Sequence, residues 1–319
     1  MKRSQNLYLI KVIVFLVAVC CIVGTYYAFN PNFLPPLIGT PLSGRSERHV
    51  FTTKDIIQVM VVSEEARLGG AIATINSVIS NTKSPVHFYL VTDNSSIDHL
   101  SVWIEKSDLK KISYEIKLFP KEWLKGKIAL KDETKHASYL NYAKLFIPKL
   151  FPQIKGRLVY LDDDSIVQGD IAELANSSIA AGHVGAFTLD CDSVSKHFNS
   201  IGNKYGNFLD LKNKALKDIK INPADCVFSL GVFVLNLTEW ESQGIGVKLD
   251  KLMELNVNLV SGLTTGSRYS KHFLQKAKLL HWDGHFKPWV RRAPYSDMWK
   301  KYYITDPFHK FHIPSQRES

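Results

Sequence analysis

The chain has 319 residues, 45% hydrophobic and 22% charged, with 18 Gly and 13 Pro. This globular composition, without internal repeats or low-complexity tracts, is enough for one large α/β domain with its own core. The net charge of +10 excludes little by itself, but residues 1–54 carry six basic residues against one acidic, and the remainder is mixed in sign. With no dense Lys/Arg stripe, no nucleic-acid partner is expected.

In chain order, Met1-Lys2-Arg3 comes first, and an uncharged, mostly apolar run covers residues 12–29, with Lys11 able to snorkel at its edge. Its length and the lack of a small-x-small cleavage site favour an uncleaved signal-anchor over a removed signal peptide. Lys2, Arg3 and Lys11 keep residues 1–11 in the cytosol by the positive-inside rule. Residues 30–54, rich in Pro, Gly and Ser, read as a stem, and residues 55–319 as a luminal domain. Sequons at Asn94, Asn176 and Asn236 fit a lumen. Cys20 and Cys21 fall in the apolar run, which leaves Cys191 and Cys226 either as a disulfide or as two buried thiols.

Residues 56–62 are a β-branched run suited to a strand buried on both faces. Residues 68–80 read as a helix with Ile72, Ile75 and Ile79 on one face. A second strand at 86–91, a helix at 97–105 with Leu100 and Ile104 inward, and an alternating strand at 112–119 follow. This βαβαβ order predicts a parallel sheet with right-handed crossovers. A helix over 139–150 then leads into a strand at 157–161. Strands at 184–189 and 227–237, a helix at 238–255 and a short strand at 277–280 complete the pattern. Ligands of such sheets bind beyond the carboxyl ends of the strands.

Two features lie there. Asp162-Asp163-Asp164 follows the strand at 157–161. Three adjacent carboxylates repel unless solvated, hydrogen-bonded or neutralised. Strand alternation points Asp162 and Asp164 one way and Asp163 the other, and such a pair can hold a hard divalent ion against a diphosphate. A solvated polar turn is the alternative. A haloacid-dehalogenase-type phosphatase is excluded, because its carboxylate pair lies on the first strand and no later acidic pair completes that site. The second feature is His281-Trp282-Asp283-Gly284-His285-Phe286-Lys287-Pro288-Trp289. Imidazole with carboxylates suits Mn²⁺, glycine admits a phosphate to the backbone, and lysine supplies a compact cation.

Together these features resemble glycosyltransferase family 8. Asp162-x-Asp164 matches the family's Asp-x-Asp, and His281-x-x-Gly284-x-x-Lys287-Pro288-Trp289 its C-terminal signature. Arg67-Leu68-Gly69-Gly70-Ala71-Ile72, Asp190-Cys191-Asp192 and Leu237-Thr238-Glu239-Trp240 continue the likeness, which runs from about residue 56 to 311. The resemblance implies a GT-A fold, Rossmann-like and α/β, and a UDP-sugar donor whose hexose is transferred with retention. Asp162, Asp164 and His281 would ligate Mn²⁺ (or Mg²⁺). Arg67, Asp163, Gly284 and Lys287 would meet the nucleotide sugar, and residues 62–67 would line the uridine pocket. Lys144 would lie near the phosphates and Asp190 near the transferred sugar, as the catalytic residues. The implied partners are the donor and a glycan, protein or lipid acceptor, at a Golgi or ER membrane crossed once in the type II sense.

Two departures stand out. Ser229-Leu230-Gly231 replaces the family's Asn-x-Gly, exchanging a carboxamide for a hydroxyl. After residues 255–260 the chain runs almost directly to Arg268-Tyr269-Ser270, where relatives carry a further apolar strand and loop. The alternative function is therefore a weakly active or inactive GT-A fold that binds a nucleotide sugar or serves as a Golgi interaction protein.

Overall fold

The computed structural model describes residues 56–127, 138–189, 204–208, 222–255, 275–282, 287–291, 293 and 295–313. The chain divides into Met1–Val50 and Phe51–Ser319, and every described residue belongs to the second unit. The expected anchor at 12–29 and stem at 30–54 lie outside the described residues. Among the described residues no helix is long and apolar enough to cross a membrane.

The strands are β1 (Ile57–Val62), β2 (Val86–Thr92), β3 (Ser113–Leu118), β4 (Arg157–Asp162), β5 (Ser165–Val167), β6 (Gly185–Leu189), β7 (Phe228–Asn236) and β8 (Leu279–His281). Helices α1 (Leu68–Asn81) and α2 (Ile97–Glu105) form the first two crossovers. The remaining helices are α3 (Ile147–Leu150), α4 (Ile171–Ala175), α5 (Tyr205–Phe208), α6 (Leu237–Ser242), α7 (Ile245–Leu255) and α8 (Ser296–Lys300). The main sheet has the order β3-β2-β1-β4-β7-β6. The first four of these strands pair in parallel, as the βαβαβ pattern requires. β7 runs antiparallel to both β4 and β6, so the whole sheet is mixed, a point on which the βαβαβ order of the first three strands is silent. Strand direction depends on how the connections travel, and apolar runs do not record that.

Alternation along the central strands feeds two cores. Val59, Val61, Phe88, Leu90, Val159 and Leu161 face α1 and α2. Met60, Val62, Tyr89, Val91, Leu158 and Tyr160 face Phe146, Ile147 and Trp240. Leu100 and Ile104 are buried as expected, but Ile79 is exposed; the buried stripe of α1 runs through Leu68, Ala71, Ile72, Ile75 and Val78. The expected helix over 139–150 is a 3-10 helix, Tyr139–Phe146, ending in the short α3. The expected helix over 238–255 is broken into α6 and α7 at Gly244, whose φ of 61° an L side chain would strain. Trp103, Trp240, Trp282, Trp289 and Trp299 are buried packing residues.

A second, two-stranded sheet of β5 and β8 went unseen in the sequence, because β5 is only three residues long. It hangs on polar residues of α1. The Thr74 hydroxyl donates to the Ser165 carbonyl at 2.8 Å, and the Ser77 hydroxyl accepts from the Val167 N–H at 2.9 Å. Asn81 donates to the Val167 carbonyl at 2.9 Å. α1 thus places the strand that follows the aspartates, and β8 pairs with it so that Ser165 stands opposite His281.

Candidate metal centre

β4 ends at Asp162, in register with Val62 at the end of β1, so the three aspartates emerge at the carboxyl edge of the parallel strands. β8 brings His281 to the same edge, fixed by a bond from the Trp282 N–H to the Asp164 carbonyl at 3.1 Å. His281 Nε2 lies 3.0 Å from Asp164 Oδ1 and 3.6 Å from Asp162 Oδ2. One ligand atom from each of Asp162, Asp164 and His281 falls within 4.8 Å of the others. Asp164 is buried, and its Oδ1 faces the His281 imidazole at 3.0 Å. A buried carboxylate is costly unless cationic partners complete it. Two carboxylates and an imidazole with converging lone pairs therefore fit a divalent ion of the Mn²⁺ or Mg²⁺ kind.

Each aspartate also has a cation of its own. Lys144 Nζ donates to Asp162 Oδ1 at 3.1 Å and to the Leu230 carbonyl at 2.9 Å, lying over the Tyr160 ring. The Tyr160 hydroxyl reaches the same Oδ1 at 2.8 Å, so Asp162 Oδ2 is the oxygen turned toward His281. Arg67 grips Asp163 with Nε at 3.0 and 2.8 Å and with a second nitrogen, which also meets Asp164 Oδ2 at 3.0 Å. Ser63 Oγ adds a bond to Asp163 at 2.8 Å. Lys287 pairs with Asp164 Oδ2 and donates to the Trp282 carbonyl at 2.9 Å. Asp163 is thus held by Arg67 and Ser63 rather than grouped with Asp162, Asp164 and His281, although β4 ends at Asp162 and one Arg67 nitrogen reaches both Asp163 and Asp164.

The electrostatics follow from these pairings. Burial opposes ionisation of Asp164, but His281, Lys287 and Arg67 outweigh it and hold its pKa far below the ordinary range. Asp162 is lowered too: burial resists, while Lys144 and His281 prevail. Burial raises Asp163 despite Arg67, and Arg67 itself keeps its charge because Asp163 and Asp164 more than offset its own burial. His281 is pushed up to about 10, its burial outweighed by Asp164 and Asp162. A bound ion would replace that ring proton, since a ligating nitrogen needs its lone pair.

Of the expected site residues, Arg67, Lys144, Asp162, Asp163, Asp164, His281 and Lys287 come together here. Asp190, Gly284 and Cys191 lie outside the described residues. Cys226 is disulfide-bonded. Asn94 is exposed in the turn after β2, and Asn176 is exposed at the end of α4. Asn236 is half-buried and caps α6 by accepting from the Glu239 N–H at 3.3 Å. Residues 62–67 were expected at the uridine pocket, but the Ser63 bond to Asp163 was not foreseen, nor were Tyr160 and the Leu230 carbonyl as partners of Asp162 and Lys144. Strand alternation could have found Tyr160, which shares a face with Asp162 two residues on; Ser63 and Leu230 reach the site only through the adjacency of β1, β4 and β7. Gly231 belongs to the site as well: a Cβ there would overlap the His281 ring.

An α/β sheet with an Asp–Asp–His cluster at the carboxyl edge of its strands is a GT-A-type glycosyltransferase fold. A model of "Glycosyl transferase family 8" matches residues 26–265, and the chain belongs to that family. It is 39% identical to "Glycosyltransferase 8 domain-containing protein 1" of Homo sapiens, over 88% of this chain and 84% of that protein. It is 36% identical to "Glycosyltransferase 8 domain-containing protein 2" of Bos taurus, over 82% and 86%. Among solved structures, the galactosyltransferase LgtC with donor and acceptor sugar analogs shares the fold at TM-score 0.53 and 15% identity, over 79% of this chain and 98% of that one. The WbbM bifunctional glycosyltransferase does so at TM-score 0.54 and 17% identity, over 82% and 51%.

Proposed function

We propose that the chain is a metal-dependent, retaining glycosyltransferase that moves a hexose from a UDP-sugar to a glycan, protein or lipid acceptor. The observation that carries this is the convergence of Asp162, Asp164 and His281, whose ligand atoms lie within 4.8 Å of one another with His281 Nε2 3.0 Å from the buried Asp164 Oδ1. Bound Mn²⁺ or Mg²⁺ would supply positive charge for the departing diphosphate. Asp162, Asp164 and His281 would hold the ion. Lys144 and Tyr160 occupy the other oxygen of Asp162 and so keep Oδ2 aimed at the cluster. Arg67 fixes Asp163 and the backbone between the two ligands. Lys287 adds a second cation where charge develops on the leaving group, the electrostatic contribution that usually dominates catalysis. Retention by same-face attack follows from the family resemblance.

We further place the chain in a Golgi or ER membrane through residues 12–29, with residues 55–319 luminal. The disulfide at Cys226 fits an oxidising compartment. Protease added to sealed microsomes should leave the luminal part intact, and its digestion would refute the topology.

The test of the enzyme is calorimetric titration of UDP into the full chain with Mn²⁺ and then with EDTA, beside an Asp162→Ala/Asp164→Ala variant. Mn²⁺-dependent binding lost in the variant is the expected result; folded protein that ignores UDP would overturn it. One observation favours a second function, donor binding without turnover. Ser229 Oγ turns back to accept from the Gly231 N–H at 3.5 Å, where the family has a longer carboxamide. Transfer to any acceptor would exclude that alternative.

A further inference from the structure

Outside the aspartate cluster, the described residues include two buried titratable side chains with no part in the proposed chemistry, His99 and Asp306. His99, on α2, is only 2% exposed. Its Nδ1 lies 2.7 Å from Glu65 Oε1 and its Nε2 2.8 Å from Asp306 Oδ1. A neutral imidazole has one N–H and satisfies one carboxylate, so only a doubly protonated ring donates to both. Trp103 stacks on the ring at 5.3 Å, and Phe308 meets it edge-on at 5.5 Å.

The two carboxylates belong to two different supports of Arg67. Glu65 starts the 3-10 turn Glu65–Arg67, closed by the Arg67 N–H on the Glu64 carbonyl at 2.9 Å. Asp306 organises the C-terminal loop by accepting from the N–H groups of Phe308, Lys310 and Phe311 at 2.8, 2.7 and 2.8 Å. That loop carries the Phe311 ring onto Trp289, and Trp289 lies under the Arg67 guanidinium at 5.5 Å. The turn thus holds Arg67 from one side and the aromatic wall from the other, with His99 joining the two.

We infer that His99 is a positioning residue. By bridging Glu65 and Asp306 it locks the turn and the C-terminal loop together, and so sets the Arg67 guanidinium that orients Asp163 and Asp164. Its two ring nitrogens are taken up by the Glu65 and Asp306 carboxylates. The inference rests on the proposed metal–nucleotide site only for the binding measurement below.

The experiment follows the Arg67 Nε–H resonance by NMR in the metal-free full chain, assigned by its loss in Arg67→Lys. His99→Ala should shift or broaden it. Glu65→Gln, which empties no pocket, should do the same and serves if His99→Ala does not fold. Phe308→Leu, which trims packing against the ring but keeps both hydrogen bonds, should lower thermal stability and leave the resonance in place. In the binding measurement, His99→Ala and Glu65→Gln should each weaken Mn²⁺–UDP affinity by about ten-fold, the usual scale for residues that orient ligands from behind. An unmoved resonance in folded His99→Ala or Glu65→Gln overturns the inference, as does an equal movement in Phe308→Leu. If the unaltered chain binds no UDP, the enzyme proposal fails, and the resonance alone decides the role of His99.

Discussion

Two groups in this molecule each combine two carboxylates with one imidazole, and they do opposite things. In Asp162–Asp164–His281 the ligand atoms converge within 4.8 Å of one another. In Glu65–His99–Asp306 the ring stands between the carboxylates, so its nitrogens face apart. Asp306 there is saturated by three backbone N–H groups and the imidazole. Residue types are the same, but the direction of the lone pairs differs. Converging acceptors repel and invite a cation; acceptors on opposite sides of a donor make a clamp.

The largest effect should come from removing Asp164. Asp164→Ala leaves His281, Lys287 and Arg67 around a vacated buried charge, which should destabilise the fold by about 3 kcal/mol. Metal-dependent UDP binding should vanish as well. Urea unfolding and calorimetry check both parts, and retained Mn²⁺ affinity would place the ion elsewhere. Gly231→Ala comes next. Its methyl would overlap the His281 ring, at an overpacking cost of about 1–3 kcal/mol. Displacing that one ligand should weaken Mn²⁺ binding by about ten-fold.

On the clamp side, Asp306→Asn keeps the shape but removes a charged acceptor, and should cost about 2 kcal/mol at neutral pH. Burial works against the Asp306 charge, but the Phe311 and Phe308 N–H groups and His99 hold its pKa below the ordinary value. A depressed folded-state pKa stabilises above the unfolded pKa, and that contribution is lost as pH falls through the folded one. The gap between the native chain and Asp306→Asn in urea midpoint should therefore narrow in acid. A constant gap would show that charge is irrelevant to the clamp. The smallest effect is expected for Lys310→Ala. Lys310 Nζ lies 3.9 Å from Glu65 Oε1 at the solvent-facing rim, so its loss should change stability by less than about 0.5 kcal/mol.

Parts of this architecture were legible without coordinates. β1, β2 and β4 announce themselves by β-branched or apolar runs, and α1 and α2 by helical spacing, because burial on fixed faces imposes those periods. Ile79 shows the limit. It shares the helical spacing of Ile72 and Ile75, but it is exposed while the buried stripe continues through Val78. β5 was hidden for a different reason. Three residues carry no period, and the strand exists because Thr74, Ser77 and Asn81 of α1 receive it.

By itself the sequence determined the family and the strand that delivers three aspartates to the sheet edge. Those properties are local, since alternation and a contiguous motif need no partner to be read. The fold alone decided that β8 docks on β5 and carries His281 across from a position 117 residues beyond Asp164. It also paired Lys144 with Asp162, Arg67 with Asp163 and Asp164, and Lys287 with Asp164. Matching a charge to its counter-charge depends on a few ångströms of separation, and only packing between distant segments sets that distance.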